Sequence, residues 1–175
     1  MKFLALSGSG RKSSTNTAML RAVAEIARLK HDITVFDSLT NLPVFSPDFE
    51  TDELPIEVQK FVDLIRDSDG VIIASPEYVR AIPGGLKNAI DWLVSRDEIM
   101  RKPIALMHAS HRGDDMLVQL RLVLSTVSEH FAPDLFLRFE FMNLSPTEIE
   151  DRLKSSENQS SVTDFLDGFA KLCGP

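Results

Sequence analysis

The sequence predicts an α/β fold in which five parallel strands form a sheet in the order 2-1-3-4-5, with helices on both faces. Short apolar runs alternate with stretches of helical spacing along the chain, and this alternation is typical of a parallel sheet. Right-handed crossovers leave few possible strand orders. The doubly wound order places its switch point between strands one and three, and the loops after these two runs are rich in Gly, Ser and Pro.

The individual elements follow from periodicity. Strands are predicted over residues 3–6, 33–36, 71–74, 104–108 and 135–141. Helices are predicted over residues 15 to about 29, 56–66, 86 to about 94, 116–131 and 162–172. Ser145 and Pro146, with Glu148 three residues after Ser145, predict the start of a further helix. Residues 41–55 and 154–161 are predicted to be loops, the second of them mobile.

Composition limits the class of protein. The length of 175 residues predicts a single domain over residues 1–175. A net charge of −7 argues against a nucleic-acid-binding surface, and no apolar run reaches the roughly 18 residues of a membrane span. The apolar run that ends at Leu6 is shorter than a signal peptide needs. The single cysteine, Cys173, excludes an internal disulfide, so a cytoplasmic location is expected.

The loop after the first strand carries many donors for an anion. Hydroxyls and cations crowd a short stretch that also begins a helix: Ser9, Arg11, Lys12, Ser13, Ser14, Thr15 and Thr17. The helix start adds free N–H groups and the positive end of the helix dipole. Such convergence is suited to a phosphate monoester, which presents three terminal oxygens.

Other interpretations of this loop remain. A Walker A loop needs Gly before the Lys-Ser pair, where this chain has Arg11. A dinucleotide-binding loop needs a third glycine, where this chain has Ser13. Ser and Thr also cap helices without any ligand, so a simple cap stays open at this point.

The loop after the third strand is suited to hold a flat ring. Pro76 and Pro83 stiffen it, while Gly84 and Gly85 allow a ligand to approach the backbone closely. Tyr78 is suited to stack on a ring or to pack against a neighbouring subunit. Trp92, about two turns into the following helix, is predicted to lie in the core.

Together the two segments resemble the NADPH-dependent FMN reductase family, flavodoxin-like proteins that include quinone, azo-dye and chromate reductases. The family motif G-S-x-R-x-x-S-x-N is matched by Gly8, Ser9, Arg11, Ser14 and Asn16. The motif P-E-Y-N-x-x-x-P-G-x-L-K-N-A-I-D-W is matched by Pro76, Glu77, Tyr78, Pro83, Gly84, Leu86, Lys87, Asn88, Ala89, Ile90, Asp91 and Trp92. Val79 replaces the family asparagine. The resemblance implies a flavodoxin-like three-layer sandwich.

The resemblance also implies a cofactor and a site. FMN would be the bound cofactor and NADPH or NADH the co-substrate. The phosphate would be held by Ser9, Arg11, Ser14 and Asn16, with Thr15 and Thr17 adding donors. The isoalloxazine would lie against Pro76, Glu77, Tyr78, Val79 and Arg80, with Ser110 at its pyrimidine edge. No catalytic side chain and no metal site are expected.

The resemblance predicts an oxidoreductase that passes two electrons to a quinone, an azo compound, free flavin or a metal oxyanion, as a homodimer or homotetramer. A flavodoxin-type electron carrier remains an alternative. A non-enzymatic flavin-binding or regulatory protein also remains one, because Val79 and the charged stretch 110–115 depart from the family pattern. His108 and His111 are predicted to be structural or solvated. Lys12, Arg80 and Arg112 would attract the NADPH phosphate or form a solvated charged face.

Overall fold

The computed structural model describes residues 1–50 and 53–174. Its five strands all pair in parallel, in the order β2-β1-β3-β4-β5. They are β1 (Lys2–Ser7), β2 (Asp32–Phe36), β3 (Gly70–Ala74), β4 (Ile104–His108) and β5 (Phe131–Arg138). The helices are α1 (Thr15–Ala27), α2 (Ile56–Arg66), α3 (Gly84–Asp91), α4 (Asp97–Met100), α5 (Asp114–Val127), α6 (Pro146–Leu153) and α7 (Ser156–Cys173). The predicted fold class and strand order are confirmed.

Two apolar clusters, one on each face of the sheet, hold the layers together. Leu4 and Leu6 of β1 belong to the cluster that includes residues of α2, α3 and α5. Phe3 and Ala5 belong to the cluster that includes residues of α1, α6 and α7. Side chains alternate between faces along a strand. The central strands are therefore apolar at nearly every position, as expected of a parallel sheet covered on both faces.

The predicted start of α6 is confirmed in detail. The Ser145 hydroxyl accepts a hydrogen bond from the Glu148 N–H at 3.3 Å, and the Ser145 N–H donates to Glu148 Oε2 at 2.7 Å. Both bonds satisfy N–H groups that the helix itself leaves unpaired. Here the local pattern alone was sufficient to place a helix boundary.

Residues 154–161 were wrongly predicted to be a mobile loop. Helix α7 begins at Ser156, and its cap is Ser155, whose hydroxyl accepts a hydrogen bond from the Asn158 N–H at 3.4 Å. Residues 156–161 lack large apolar side chains because most of them are exposed. A polar first turn with a serine cap therefore resembled a loop.

The boundaries of α5 and β5 also differ from the prediction. Helix α5 covers residues 114–127 instead of 116–131, and strand β5 covers 131–138 instead of 135–141. Pro133 lies in β5, at the irregularity where its register against β4 shifts between Ile104 and Leu106. Proline is tolerated there because β5 is an edge strand. The break in the pattern therefore concealed the first half of the strand.

The predicted loop 41–55 contains the short 3-10 helix Pro47–Phe49, and a second one, Leu39–Asn41, ends at its first residue. Its positions 51 and 52 lie outside the described residues. In the part of the chain that is described, no helix combines the length and the apolar character needed to cross a bilayer.

Candidate functional site

The loops after β1 and β3 lie side by side at the carboxyl edge of the sheet. The Gly8 N–H donates to the carbonyl oxygen of Ala74 at 2.7 Å. A β-carbon at Gly8 would lie 2.5 Å from Ser75 Oγ and 2.9 Å from Leu86 Cδ2. Glycine is therefore required here by close approach, and the two predicted ligand loops are in direct contact. This is the edge at which doubly wound sheets bind ligands.

The start of α1 is suited to bind an anion. The Ser14 hydroxyl caps the helix by accepting from the Thr17 N–H at 3.3 Å, and the Ser14 carbonyl accepts from Ala18. Among the described residues, the N–H groups of Thr15 and Asn16 have no protein acceptor. Asn16 is buried, and its Oδ1 has no hydrogen-bond partner within the same part of the chain. The free N–H groups fit a phosphate group. Asn16 Oδ1 accepts only, so it fits a hydroxyl or N–H group of a ligand.

The remaining phosphate-loop residues divide into two groups. Ser9 is buried, with its hydroxyl accepting from the Arg11 N–H at 3.2 Å. The side chains of Arg11 and Lys12 are exposed and available to an anion. Thr17, by contrast, lies 2.7 Å from the Ser7 hydroxyl through its own hydroxyl, deep between β1 and α1. The Thr17 side chain therefore joins the helix to the sheet.

The β3 loop forms a two-residue hairpin turn. Tyr78 and Ala81 exchange backbone hydrogen bonds of 3.0 and 3.2 Å. Between them Val79 and Arg80 adopt left-handed backbone angles, with φ of 52° and 58°. This is the arrangement of a type I′ turn, in which asparagine and glycine are favoured. The family asparagine at position 79 thus has a conformational reason, which motif comparison alone did not reveal.

Replacing Val79 with asparagine is expected to stabilise the protein by about 1 kcal/mol, because a β-branched side chain is strained in the left-handed region. Val79 is 99% exposed, so the change removes no buried contact. Urea unfolding midpoints would measure the effect. Val118→Asn, at a position 68% exposed on α5, is the matched control and should change stability little. Equal effects at both positions would contradict the proposed strain.

The β3 hairpin is fastened to helix α5. Glu77 Oε2 accepts from the Met116 N–H at 3.0 Å, within the first turn of α5. Arg80 pairs through Nε with Asp115 Oδ2 at 2.5 Å, and the Arg80 carbonyl accepts from Gln119 Nε2 at 2.8 Å. The predicted ring-binding side chains Glu77 and Arg80 therefore have structural partners. What the hairpin presents at the site is its backbone together with the half-exposed Tyr78 ring.

The side chain of His108 fixes the loop after β4 through a contact with the loop backbone. His108 is buried, and its Nε2 lies 2.5 Å from the Arg112 carbonyl oxygen. Because a carbonyl only accepts, Nε2 carries the proton. The Arg112 N–H in turn donates to Ser110 Oγ at 3.0 Å. Gly113, with φ of 104°, packs so closely that a β-carbon would lie 2.7 Å from His108 Nε2. His108 is thus structural, as predicted.

Acidification is expected to destabilise the fold through His108. Burial lowers the pKa of His108 below its usual value of 6.5, and Arg138 acts in the same direction. Below pH 6.5 His108 becomes protonated in the unfolded chain but stays neutral in the folded chain. Stability is therefore full above pH 6.5 and is lost as the pH falls toward the folded-state pKa. The slope per histidine reaches at most about 1.4 kcal/mol per pH unit.

His108→Gln tests this, because glutamine keeps an amide donor but does not titrate. Urea unfolding at several pH values between 6.5 and about 5 should give a shallower slope for the variant. Burial also lowers the pKa of His31, so part of the slope should remain and disappear only when His31→Gln is added. A slope identical to that of the unmodified protein would show that His108 does not contribute.

The second half of the β3 motif builds the scaffold around the site. Trp92 is fully buried, as predicted, and its Nε1 donates to the Pro43 carbonyl at 2.8 Å. The Asn88 side chain donates to the same carbonyl at 2.9 Å and accepts from the Phe45 N–H at 2.8 Å. Lys87 and Asp91 form an ion pair one turn apart. These residues attach the loop after β2 to α3 and to Trp92.

Comparison with known proteins identifies the family. The family model described as NADPH-dependent FMN reductase matches residues 1–140. The chain belongs to the NADPH-dependent FMN reductase family. Both motif segments of this reductase-family chain lie inside the matched region, and the resemblance seen in the sequence is confirmed.

Two curated relatives show the extent of the likeness. A quinone reductase of Escherichia coli (strain K12) is 34% identical over 113 residues, which cover 63% of this chain and 60% of the relative. An NAD(P)H-dependent FMN reductase of Pseudomonas aeruginosa is 34% identical over 112 residues, with the same coverage. The chain thus spans about three fifths of the length of these relatives.

Solved structures support the fold. The flavoenzyme NAD(P)H:(acceptor) oxidoreductase from Paracoccus denitrificans superposes with a TM-score of 0.74 at 24% identity, covering 97% of both chains. Within residues 1–50 and 53–174, no three His, Cys, Asp or Glu side chains are grouped so as to hold a metal ion.

Proposed function

We propose that this protein is an FMN-dependent NAD(P)H oxidoreductase that transfers two electrons from NAD(P)H through bound FMN to a small-molecule acceptor. The observation that carries the proposal is the start of α1, whose N–H groups of Thr15 and Asn16 have no acceptor in the described chain, in contact with the β3 loop at one edge of the sheet. Membership of the NADPH-dependent FMN reductase family supports it.

The phosphate end of FMN would be held by the loop after β1. Ser9, Ser14 and Asn16 line the start of α1, and Arg11 supplies an exposed cation beside them. The N–H groups of Thr15 and Asn16 are aligned with the positive end of the helix dipole. Thr17 would support the site indirectly, since its hydroxyl is engaged with Ser7.

The ring end would lie on the β3 hairpin and the β4 loop. Pro76, Glu77, Tyr78, Val79 and Arg80 would contact the isoalloxazine mainly through their backbone, because Glu77 and Arg80 direct their side chains to α5. Ser110 would border the pyrimidine edge, with its hydroxyl shaping the turn to Arg112. Bound flavin supplies the hydride chemistry. The described chain positions it and needs no protein acid or base.

Acceptor, assembly and location are part of the proposal. Relatives named quinone reductase support a small-molecule acceptor, with quinones, azo compounds, free flavin and metal oxyanions as candidates. The half-exposed Tyr78 is suited to a subunit contact in a homodimer or homotetramer. A cytoplasmic location agrees with the unpaired Cys173.

An absorption spectrum tests the proposal. The purified protein is mixed with FMN and desalted, and NADPH and then NADH are added without oxygen. Retained flavin that bleaches rapidly with either coenzyme is expected. Flavin that is retained but not bleached would favour an electron carrier instead. Protein that retains no flavin would contradict the proposal and favour a non-enzymatic role.

A paired variant tests the phosphate assignment. Arg11→Ala/Ser14→Ala should lose retained FMN, while far-ultraviolet circular dichroism stays that of a folded protein. Arg101→Ala, at an exposed cation just before β4 and so at the opposite edge of the sheet, is the control for the lost charge. A double variant that keeps stoichiometric yellow cofactor would show that the phosphate binds elsewhere.

A further inference from the structure

We propose that Arg112 distinguishes NADPH from NADH by binding the adenosine 2′-phosphate. The proposal deepens the function proposed above and rests on it. The residue stands on the β4 loop, beside the ring-binding hairpin, and its guanidinium is exposed. Three properties of its surroundings support the assignment: a fixed backbone, an uncompensated charge and a place apart from the FMN phosphate.

The backbone of Arg112 is held on both sides. Its N–H donates to Ser110 Oγ at 3.0 Å, and its carbonyl accepts from the buried His108 at 2.5 Å. Gly113 follows with φ of 104° and packs against the His108 ring. An exposed loop arginine is ordinarily mobile, but here the Cα position is determined by a buried side chain. A fixed Cα reduces the ordering cost of binding a ligand.

The charge of Arg112 is not neutralised by its acidic neighbours. Asp114 pairs with Arg138 and Asp115 pairs with Arg80, each at 2.5 Å. Glu77 accepts the Met116 N–H at the start of α5. Within the described ranges, Arg112 forms no ion pair. The two carboxylates that follow it in sequence are thus already occupied, and its guanidinium remains free to bind an anion.

The position of Arg112 separates it from the FMN phosphate site. The strand order places β3 between β1 and β4, so the loops after β1 and β4 are two strand spacings apart, about 10 Å. The start of α1 beside Arg11 is the site proposed above for the FMN phosphate. An anion bound at Arg112 would therefore belong to the co-substrate. The 2′-phosphate matches, because guanidinium binds phosphate in a bidentate manner and NADH offers only a hydroxyl there.

The test compares two fragments that do not depend on flavin reduction. Binding of 2′,5′-ADP and of 5′-AMP is measured by calorimetry on the protein after mixing with FMN and desalting, whether or not flavin is retained. The unmodified protein should bind 2′,5′-ADP at least about tenfold more tightly, the range of one charged hydrogen-bonded contact. Arg112→Gln should bring the ratio near one, and Arg112→Lys should lie between. Arg101→Gln, a cation at the opposite edge, should leave the ratio unchanged.

The kinetic counterpart is the ratio of kcat/KM for NADPH and NADH, which should fall in parallel in Arg112→Gln while retained FMN and the unfolding midpoint stay constant. No fragment preference in the unmodified protein, or a preference that survives Arg112→Gln, would overturn the assignment. A protein that prefers 2′,5′-ADP through Arg112 but retains no FMN would contradict the proposed function and leave the anion assignment standing.

Discussion

Replacing Gly8 with alanine is expected to lower the free energy of unfolding by roughly 1–3 kcal/mol, the range for overpacking a close contact, and to abolish retention of FMN. The new β-carbon would lie 2.5 and 2.8 Å from the Oγ and Cβ of Ser75. The hydrogen bond from the Gly8 N–H to the Ala74 carbonyl holds the two backbones together, so they cannot easily move apart to relieve the overlap. The two ligand loops must therefore separate, and the phosphate and ring positions would lose their relative spacing.

Gly84→Ala is the matched control for Gly8→Ala. A β-carbon there meets no atom within 4 Å, and Gly84 is the first residue of α3. Alanine in a helix is favoured over glycine by up to about 1 kcal/mol, so this variant should be neutral or slightly more stable. Urea unfolding followed by the single tryptophan, Trp92, and flavin absorbance after desalting would measure both variants. Unchanged flavin retention in Gly8→Ala would contradict the required spacing.

Replacing Trp92 with alanine is expected to cost about 3–5 kcal/mol, the usual range for removing a buried Trp or Phe. Trp92 has no exposed surface, and its ring packs edge to face against Phe45, with the ring centroids 5.2 Å apart. Its Nε1 donates to the Pro43 carbonyl. The variant would leave a cavity and release the loop after β2 from α3. Thermal unfolding by circular dichroism and limited proteolysis of that loop would show the two effects.

Two milder variants separate packing from hydrogen bonding at Trp92. Trp92→Phe retains most of the volume but loses the bond to Pro43. Asn88→Ala keeps the ring but loses the bonds to Pro43 and Phe45. Each should be less destabilising than Trp92→Ala. Core deletions of this kind usually cost several kcal/mol. If the free energies of unfolding of Trp92→Ala and the unmodified protein differ by less than about 1 kcal/mol, the Trp92 ring does not anchor this loop.

Local patterns were reliable where one segment contains the whole signal. The capping box of Ser145 and Glu148 placed the start of α6, and the apolar runs placed β1, β3 and β4 within one or two residues. They failed where the signal was interrupted, as at Pro133 of β5, or where a helix begins with an exposed polar turn, as at Ser156 of α7. At β5 the deciding interaction is the pairing with β4. At α7 it is the local Ser155 cap on an exposed polar turn, which a loop would also show in sequence.

The candidate site shows the same division. Motif positions identified the two loops, but not which side chains remain available for a ligand. Thr17 is occupied by Ser7, and Arg80 by Asp115. In the sequence, Val79 is only a departure from the family pattern, whereas the structure shows a left-handed turn that valine strains. The amino-acid type alone does not disclose the backbone angle at which it is held.

The sequence by itself determined the α/β class, the strand order, the two loops at the carboxyl edge and the family, because periodicity, glycines and motif spacing are properties of short segments. Only the tertiary structure decided which charges are satisfied: Asp114 by Arg138, Asp115 by Arg80, and the carbonyl of Arg112 by buried His108. Except for the His108–Arg112 contact, these partners lie more than twenty residues apart. Their pairing depends on which strands and helices become neighbours. Because Asp114 and Asp115 are paired in this way, neither neutralises Arg112.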